Sequence, residues 1–324
     1  MRIILCFGII IASFVIRSDS VLDVHESSSD NWGYKEGQSF KGPSQWWQLP
    51  NTTCGGQRQS PIDIVPKFTI YWEDLKLPII SRINSINHSV TIEKHFASIY
   101  LNFNDNWKIT FGGNGCLKPV AVHWHWGSSN YIGSEHRLQG TRFPMEGHLV
   151  SYDCGLYSSF QQASVSPNGL HVIGFFYRVG LNNPAITMVA SAIKSHMKLK
   201  TFSVNVSEIP PKDILPLELM NYYRYEGSLT TPPCTQNVIW TVLRSVQDIS
   251  EDQLSVFRNL VFGDPEFGKL VNNFRPIFPI EKSTDYILRV VYASFNYSSK
   301  LMTNFVLPAF ILLLTPFFNN YLRK

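Results

Sequence analysis

The sequence predicts a mainly β (α+β) fold, in which one extended β-sheet carries a few short helices on its surface. Most of the chain consists of short apolar runs separated by Gly, Pro, Asn and Ser, a pattern typical of strands and turns. Few segments show helical periodicity. No internal repeat or low-complexity linker divides the region between the two apolar ends, so we expect a single domain with one substantial core.

The individual elements follow from these patterns. The two best helix candidates are residues 184–198 and residues 252–261, the second preceded by Ser250 as an N-cap. The clearest strand-like runs are 98–103, 107–111, 120–126, 148–152, 172–179 and 238–244. Periodicity alone leaves the order of the strands open.

The first 20 residues form a predicted signal peptide. Arg2 supplies the positive start, residues 3–16 are apolar, and small residues at 18–20 offer a cleavage site. A signal anchor is the alternative, but the apolar run is short for a membrane span. We therefore expect a mature domain of residues 21–297.

Residues 298–324 are predicted to anchor the chain to a membrane. The apolar run 305–318 is interrupted by Pro308 and Pro316 and falls short of the ~20 residues of a spanning helix. The small residues Ser298 and Ser299 precede it, as at a glycosylphosphatidylinositol (GPI) attachment site. We favour this lipid anchor, which would hold the protein at the extracellular face of the plasma membrane. A short transmembrane helix with a basic end is the alternative.

Cysteine usage and charge agree with export. Cys6 would leave with the signal peptide, and an even number of cysteines in a secreted chain indicates disulfides, here two with three possible connectivities. The small net charge of +4 is dispersed, with no basic cluster that would suggest a nucleic-acid partner. The remaining cysteines are Cys54, Cys116, Cys154 and Cys234, and the candidate N-glycosylation sites are Asn51, Asn87, Asn205 and Asn296.

A histidine pair on a predicted strand is the strongest chemical signal. Because strand side chains alternate between faces, His123 and His125 point one way while the tryptophans between and after them point the other. We expect a third donor, His148, from a neighbouring strand, and Glu146 lies two residues before it on the same face. Zinc suits three imidazoles with a fourth position open for chemistry. Two polar residues on a solvent-facing strand are the alternative for the pair alone.

The residues around these histidines resemble the signature of the α-carbonic anhydrases, in particular the extracellular, membrane-anchored type. The similarity covers residues from about 30 to 290, and the first-to-third histidine spacing matches the family. The matching motifs are V-H-W-H-W-G at 122–127, G-S-E-H at 133–136, M-E-G-H-L-V at 145–150, W-G-Y at 32–34, Q-S-P-I-D-I at 59–64, S-L-T-T-P-P at 228–233 and N-F-R-P at 273–276.

This resemblance implies a roughly ten-stranded, mostly antiparallel twisted sheet with a conical cleft. It implies one Zn²⁺ per chain on the three histidines, where zinc lowers the pKa of bound water and so supports reversible hydration of CO2 to bicarbonate and a proton. Esterase action is an expected side activity. The resemblance also implies a Cys54–Cys234 disulfide, which leaves Cys116 to pair with Cys154.

The resemblance further assigns roles in the cleft. Thr230 and Glu135 would form a catalytic hydrogen-bonded pair, although Glu135 read alone is a surface-loop acid. Tyr34 and Glu146 would support the site from behind. The substrate-binding residues would be Val150, Val172, Leu229, Thr230, Thr231 and Trp240.

Two features depart from the family pattern. His95 takes the position of the proton shuttle, but the preceding Lys94 is unusual there and His88 is a competitor. Ala121 stands where the family commonly has the Gln that orients the first ligand, which predicts weaker zinc retention. The alternative function is a catalytically weak cell-surface binding module on the same fold. The oligomeric state is left open.

Overall fold

The computed structural model of the protein describes residues 32–294 except for 36–39, 83–88, 95–96, 104–106, 113–114, 198, 200, 208, 210, 262–267 and 280–290. The predicted signal peptide and the C-terminal apolar run lie outside these residues. Within the described part, no helix is long and apolar enough to cross a membrane.

The predicted strand-rich fold is confirmed. The strands are β1 Asp63–Ile64, β2 Ile70–Tyr71, β3 Ile79–Arg82, β4 Ser89–Lys94, β5 Ile99–Phe103, β6 Trp107–Thr110, β7 Leu117–Trp126, β8 Arg137–Leu138, β9 Met145–Asp153, β10 Leu170–Val179, β11 Phe202–Ser207, β12 Tyr222–Gly227, β13 Val238–Ile249 and β14 Tyr292–Ala293.

One large twisted sheet has the order β11-β4-β5-β7-β9-β10-β13-β12-β14-β2, with β6 beside β7 and β3 beside β6. Most neighbours are antiparallel, as expected, whereas β10 with β13 and β14 with β2 run parallel. The short strands β1 and β8 pair separately. The central strands β7, β9 and β10 lie side by side, which brings residues far apart in the chain onto one surface.

The described helices are α1 Phe160–Ser164, α2 Pro184–His196, α3 Pro211–Ile214 and α4 Glu251–Arg258. Both predicted helices are present with shifted ends. Helix α4 begins at Glu251 because Ser250 and Gln253 form a reciprocal capping box. It ends at Arg258, earlier than predicted, because Asn259 closes the last turn through its backbone N–H.

Side chains of β7 alternate between two apolar clusters, one on each face of the sheet. Trp124 and Trp126 are fully buried on the helix side, where both rings contact Phe257 of α4 at centroid distances of 6.2 and 5.3 Å. The opposite face carries the histidines and a second apolar cluster. Burial of the tryptophans therefore determines the face on which the histidines lie.

Both expected disulfides are present. Cys54 pairs with Cys234 and Cys116 with Cys154, at Cα–Cα distances of 4.8 and 5.2 Å. The first ties the segment before β1 to the loop before β13. In that loop the backbone N–H of Cys234 donates to the carbonyl of Thr231 at 2.8 Å.

Candidate metal centre

Three histidine nitrogens converge on the open face of the sheet. Antiparallel pairing of β7 with β9 places His123 directly opposite His148. The Nδ1 atom of His148 lies 3.1 Å from Nε2 of His125 and 3.3 Å from Nε2 of His123. All three nitrogens lie within 4.8 Å of one another, close enough to bind one ion together.

The outward nitrogens of two rings determine their tautomers. Nδ1 of His125 donates to the carbonyl of Asn273 at 2.7 Å, and Nε2 of His148 donates to Oε1 of Glu146 at 2.7 Å. Burial lowers the pKa of His125 to about 3, with His148 acting in the same direction, and burial also lowers the pKa of His148. Both rings are therefore neutral with one N–H each.

It follows that the inward nitrogens of these two rings present lone pairs. Their 3.1 Å approach is not a hydrogen bond, because neither atom carries a proton. Two buried lone pairs at this distance repel unless a cation lies between them. These two neutral imidazole nitrogens and Nε2 of His123, 3.3 Å from Nδ1 of His148, form a donor set of the kind that zinc accepts, so the residues fit the ion that the family resemblance implies.

Glu146 is the centre of a buried chain behind the ligands. Its carboxylate accepts from Nε2 of His148 and, at 2.7 and 2.8 Å, from Nδ1 and the backbone N–H of His136. Nε2 of His136 accepts from the hydroxyl of Tyr225 at 2.6 Å. Burial raises the pKa of Glu146, but His136 and His148 outweigh it and hold the pKa below its usual range. Glu146 is thus an ionised support for His148.

Glu135 is fully buried rather than part of a surface loop. Its Oε1 accepts from the backbone N–H of Arg275 at 2.7 Å, and its Oε2 lies 3.4 Å from Nε2 of His125. Burial and the charge of Glu146 raise its pKa well above the usual value, while Thr230 and Arg275 lower it. The structure thus brings Glu135, Thr230 and the histidines together.

Comparison with known proteins agrees with this geometry. Residues 41–295 match the family model of the eukaryotic-type carbonic anhydrases. The chain belongs to the α-carbonic anhydrase family. It is 36% identical to carbonic anhydrase 7 of Homo sapiens and 35% identical to that of Mus musculus, in each case over 82% of this chain and 97% of the relative. It is 32% identical to carbonic anhydrase 12 of Homo sapiens, over 77% of this chain and 70% of that protein.

In this carbonic anhydrase an apolar wall borders His148. Val150, Val172 and Trp240 are buried in one cluster, against which Leu229 packs. The rings of Trp240 and His148 lie 4.8 Å apart, and the indole N–H donates to the carbonyl of Ser228 at 3.0 Å. The expected substrate-binding residues thus meet beside the candidate metal position, with Thr231 half-buried in the adjoining loop.

Two important residues appeared in the sequence only as motif letters. The Asn273 side chain accepts from the backbone N–H of Trp126 at 2.7 Å while its carbonyl holds His125. The buried guanidinium of Arg275 donates to Gln59 and to the carbonyls of Ser60 and Cys54, at 2.8 to 3.0 Å. The N-F-R-P motif therefore holds strand β7, which carries His123 and His125, and the segment around Cys54 in place.

His136 was missed as a functional residue although it stands in the G-S-E-H motif. Its position directly after Glu135 was the only sequence signal. Its side chain could not be assigned to Glu146 without the pairing of strands. A cluster of His136, Glu146 and His148 also has metal-ligand spacing, but its atoms are engaged in the hydrogen bonds described above, so we interpret it as a hydrogen-bonded relay.

The departures from the family pattern have structural counterparts. Ala121 is buried and offers only a methyl group where an amide was expected. Tyr100 of β5 pairs directly with His123, and its ring lies 5.1 Å from the imidazole at an interplanar angle of 32°. Tyr34 packs edge-on against Trp46, with ring centroids 5.6 Å apart.

Several predicted sites can be placed only in part. Asn51 and Asn205 are exposed. His95, the competing His88 and the sequons at Asn87 and Asn296 lie outside the described residues. The side chain of Lys94 is also outside them, although its backbone ends β4.

Proposed function

We propose that this carbonic anhydrase hydrates CO2 reversibly with one zinc ion held by His123, His125 and His148, at the outer face of the plasma membrane. The observation that carries the zinc assignment is the tautomeric state of the site. Hydrogen bonds to Asn273 and Glu146 leave lone pairs on the inward nitrogens. A bound zinc ion would supply Lewis acidity and lower the pKa of a water molecule.

The protein positions the reactants around this centre. Thr230 donates its hydroxyl proton to Glu135, so the threonine oxygen is left as an acceptor for a proton beside the three histidines. The backbone N–H of Arg275 holds Glu135 in place. A single acceptor at a defined place selects one orientation of the attacking water, which is the entropic part of catalysis.

The apolar wall provides the place for CO2. CO2 is small and lacks hydrogen-bond donors, so a surface of Val150, Val172, Leu229 and Trp240 favours it over water. The same cleft can admit activated esters, which supports the proposed side esterase activity. Thr231 borders this surface and completes the proposed set of substrate-binding residues.

Proton removal is assigned to His95. An imidazole titrates near neutrality and can pass a proton to solvent in either direction. The adjacent Lys94 would disfavour the imidazolium form. A His95→Ala variant should therefore lose turnover that added imidazole buffer restores, whereas His88→Ala should not.

The location follows from the ends of the chain and from the disulfides. Two disulfides are typical of proteins that fold outside the reducing cytosol. We propose residues 1–20 as a signal peptide, residues 21–297 as the catalytic domain and residues 298–324 as the anchoring segment, with a GPI anchor favoured. The exposed Asn51 and Asn205 are available for glycosylation.

Stopped-flow CO2 hydration by the mature chain tests the catalytic proposal. We expect rapid hydration that a zinc chelator abolishes and added zinc restores. The His148→Ala variant should fail to retain zinc and should therefore be inactive. His196→Ala is the matched control, because that histidine lies on helix α2. Folded protein with one zinc per chain and no hydration would contradict the proposal and favour the cell-surface binding module.

A further inference from the structure

Strand β2 and the residues that flank it expose a group of large apolar side chains at an edge of the main sheet. The exposed fractions are 73% for Phe68, 53% for Ile70, 49% for Tyr71 and 44% for Trp72. We call these four residues the exit patch. Contiguous exposed apolar side chains mark interaction surfaces more often than isolated ones do.

The exit patch lies where the chain leaves the domain. The N–H groups of Ile70 and Trp72 donate to the carbonyls of Val291 and Ala293 at 2.9 and 3.1 Å. The Trp72 ring lies 4.7 Å from that of Tyr292. β14 is therefore bonded along its length to the strand that carries the exit patch, and the sequence continues from Ser294 toward residues 298–324.

Exposed apolar residues also lie near the end of β14 on the side of β12. The hydroxyl of Ser294 donates to the carbonyl of Met220 at 2.8 Å. Met220 is itself exposed, and so is the nearby Leu217. Exposed apolar side chains thus flank the point of exit on both sides.

The length of chain beyond this point limits how far the domain can move from a membrane. If the anchor is attached at Ser298, residues 295–298, the polypeptide part of the tether, span at most about 14 Å, and the glycan of the anchor adds to this length. A domain on so short a tether meets the lipid surface with the side from which the tether emerges.

The charges around the exit patch balance. Asp74 pairs with Lys76 at 3.6 Å, Lys67 lies 4.7 Å above the Phe68 ring, and Glu73 adds one negative charge. Neither sign dominates, so electrostatic attraction does not select anionic lipid. Aromatic side chains with a polar edge, such as Trp and Tyr, are enriched at the interface of bilayers.

We propose that the exit patch docks on the surface of the bilayer to which this chain is anchored, with Phe68, Ile70 and Trp72 in the headgroup region of neutral phospholipid. This inference rests on the proposed C-terminal anchor. Docking would hold the domain in one orientation on the membrane instead of leaving it free to rotate on its tether.

The chain carries its own reporter for this contact. Of its eight tryptophans, Trp72 and Trp47 are exposed and the other six are buried. Neither the signal peptide nor residues 298–324 contain tryptophan. Trp47 lies among Pro43, Cys54 and Phe278, and it serves as the matched control.

The test uses the full mature chain, purified from membranes and reconstituted into phosphatidylcholine vesicles with or without bromine on the acyl chains near the headgroups. Bromine quenches tryptophan only at short range. We expect vesicle-bound protein to be quenched, and Trp47→Phe to leave that quenching unchanged. Trp72→Phe should lower the quenched fraction at least threefold.

A second variant separates docking from the reporter. Phe68→Ser with Ile70→Thr keeps Trp72 and should lower quenching at least threefold, while CO2 hydration and the melting temperature stay unchanged. Leu181→Ser removes an exposed apolar side chain outside the exit patch and should have no effect on quenching.

The remaining outcomes contradict the proposal in distinguishable ways. One such outcome is protein that floats with the vesicles but shows no quenching, or equal quenching in both tryptophan variants. This result contradicts the docking proposal and leaves the anchor proposal intact. Protein that does not float contradicts the anchor and the docking that depends on it. Trp72 emission that responds to protein density but not to brominated lipid would assign the exit patch to a second copy of the chain and overturn the proposal.

Discussion

Replacing Glu146 by glutamine should weaken zinc binding through the tautomer of His148. The carboxylate accepts three hydrogen bonds, two of them from His136 and one from His148, in a fully buried position. A glutamine amide has one oxygen and one NH2 group. In either orientation, the glutamine NH2 group therefore faces an N–H group of His136 or His148 that donates to a carboxylate oxygen in the wild-type protein.

The two orientations have different consequences. With its NH2 group at the Oε2 position, glutamine opposes the backbone N–H of His136, which cannot change. With the NH2 group at the Oε1 position, it opposes Nε2 of His148. The ring then gains stability by moving its proton to Nδ1, the nitrogen that points at the metal position. Either way, the site loses a correctly oriented lone pair or a buried hydrogen bond.

The size of the effect follows from the hydrogen bond that is lost. A bond to a charged group contributes about 1.5–3 kcal/mol, which corresponds to roughly 10- to 150-fold in an equilibrium constant, and loss of such a support for a ligand typically costs 10–100-fold in metal affinity. We expect the Kd for zinc to rise about 100-fold. Glu226→Gln, at an exposed carboxylate paired with Arg58, should leave it unchanged.

Competition with a fluorescent zinc chelator measures the Kd, and nitrogen-15 NMR of the zinc-free protein reports the protonated nitrogen of His148. A Kd within threefold of the wild-type value would refute the reasoning. A weaker Kd would also refute it if the proton of His148 stayed on Nε2 and His136 and His148 still donated all three hydrogen bonds to residue 146.

Three further predictions concern other parts of the molecule. Replacing both cysteines of the Cys54–Cys234 disulfide by serine should lower the free energy of unfolding by up to about 5 kcal/mol, because the bond joins residues 180 positions apart; a loss below about 1 kcal/mol in urea denaturation would contradict the chain-entropy argument. Burial lowers the pKa of His171 to about 4 from 6.5. The unfolded state thus binds the proton more readily, and stability falls as the pH drops through this range. The difference in unfolding free energy between wild type and His171→Gln should fall by about 2 kcal/mol from pH 7 to pH 4.5, and parallel pH curves would show that His171 is not the cause. Ala121→Gln should slow zinc release by about 10- to 100-fold, since an amide can orient His123; equal release rates would mean that the methyl group is no handicap.

The candidate metal ligands could be picked out from the sequence because their placement on one face depends on short-range order. Alternation along a strand places His123 and His125 on one face, and the buried Trp124 and Trp126 determine which face it is. The motif spacing then pointed to His148. The capped helix α4 was similarly local, since Ser250 and Gln253 are three residues apart.

Contacts between distant segments could not be predicted in the same way. Asn273 reaches His125 through a backbone carbonyl, and every residue has such a carbonyl, so no side-chain pattern announces the contact. Glu135 read alone resembled a surface-loop acid, yet it is buried beneath Arg275. The residues of the exit patch are neighbours in the sequence, but their place beside the end of β14 follows only from the pairing of β2 with β14.

The sequence by itself therefore determined the local elements, the candidate ligands and, through its motifs, the family. The tertiary structure alone decided the strand order, the tautomers of His125 and His148, the burial of Glu135 and the apolar surface at the point of exit. The physical reason is one of range. Periodicity and capping depend on residues a few positions apart, whereas strand pairing and desolvation depend on which distant segments exclude water together.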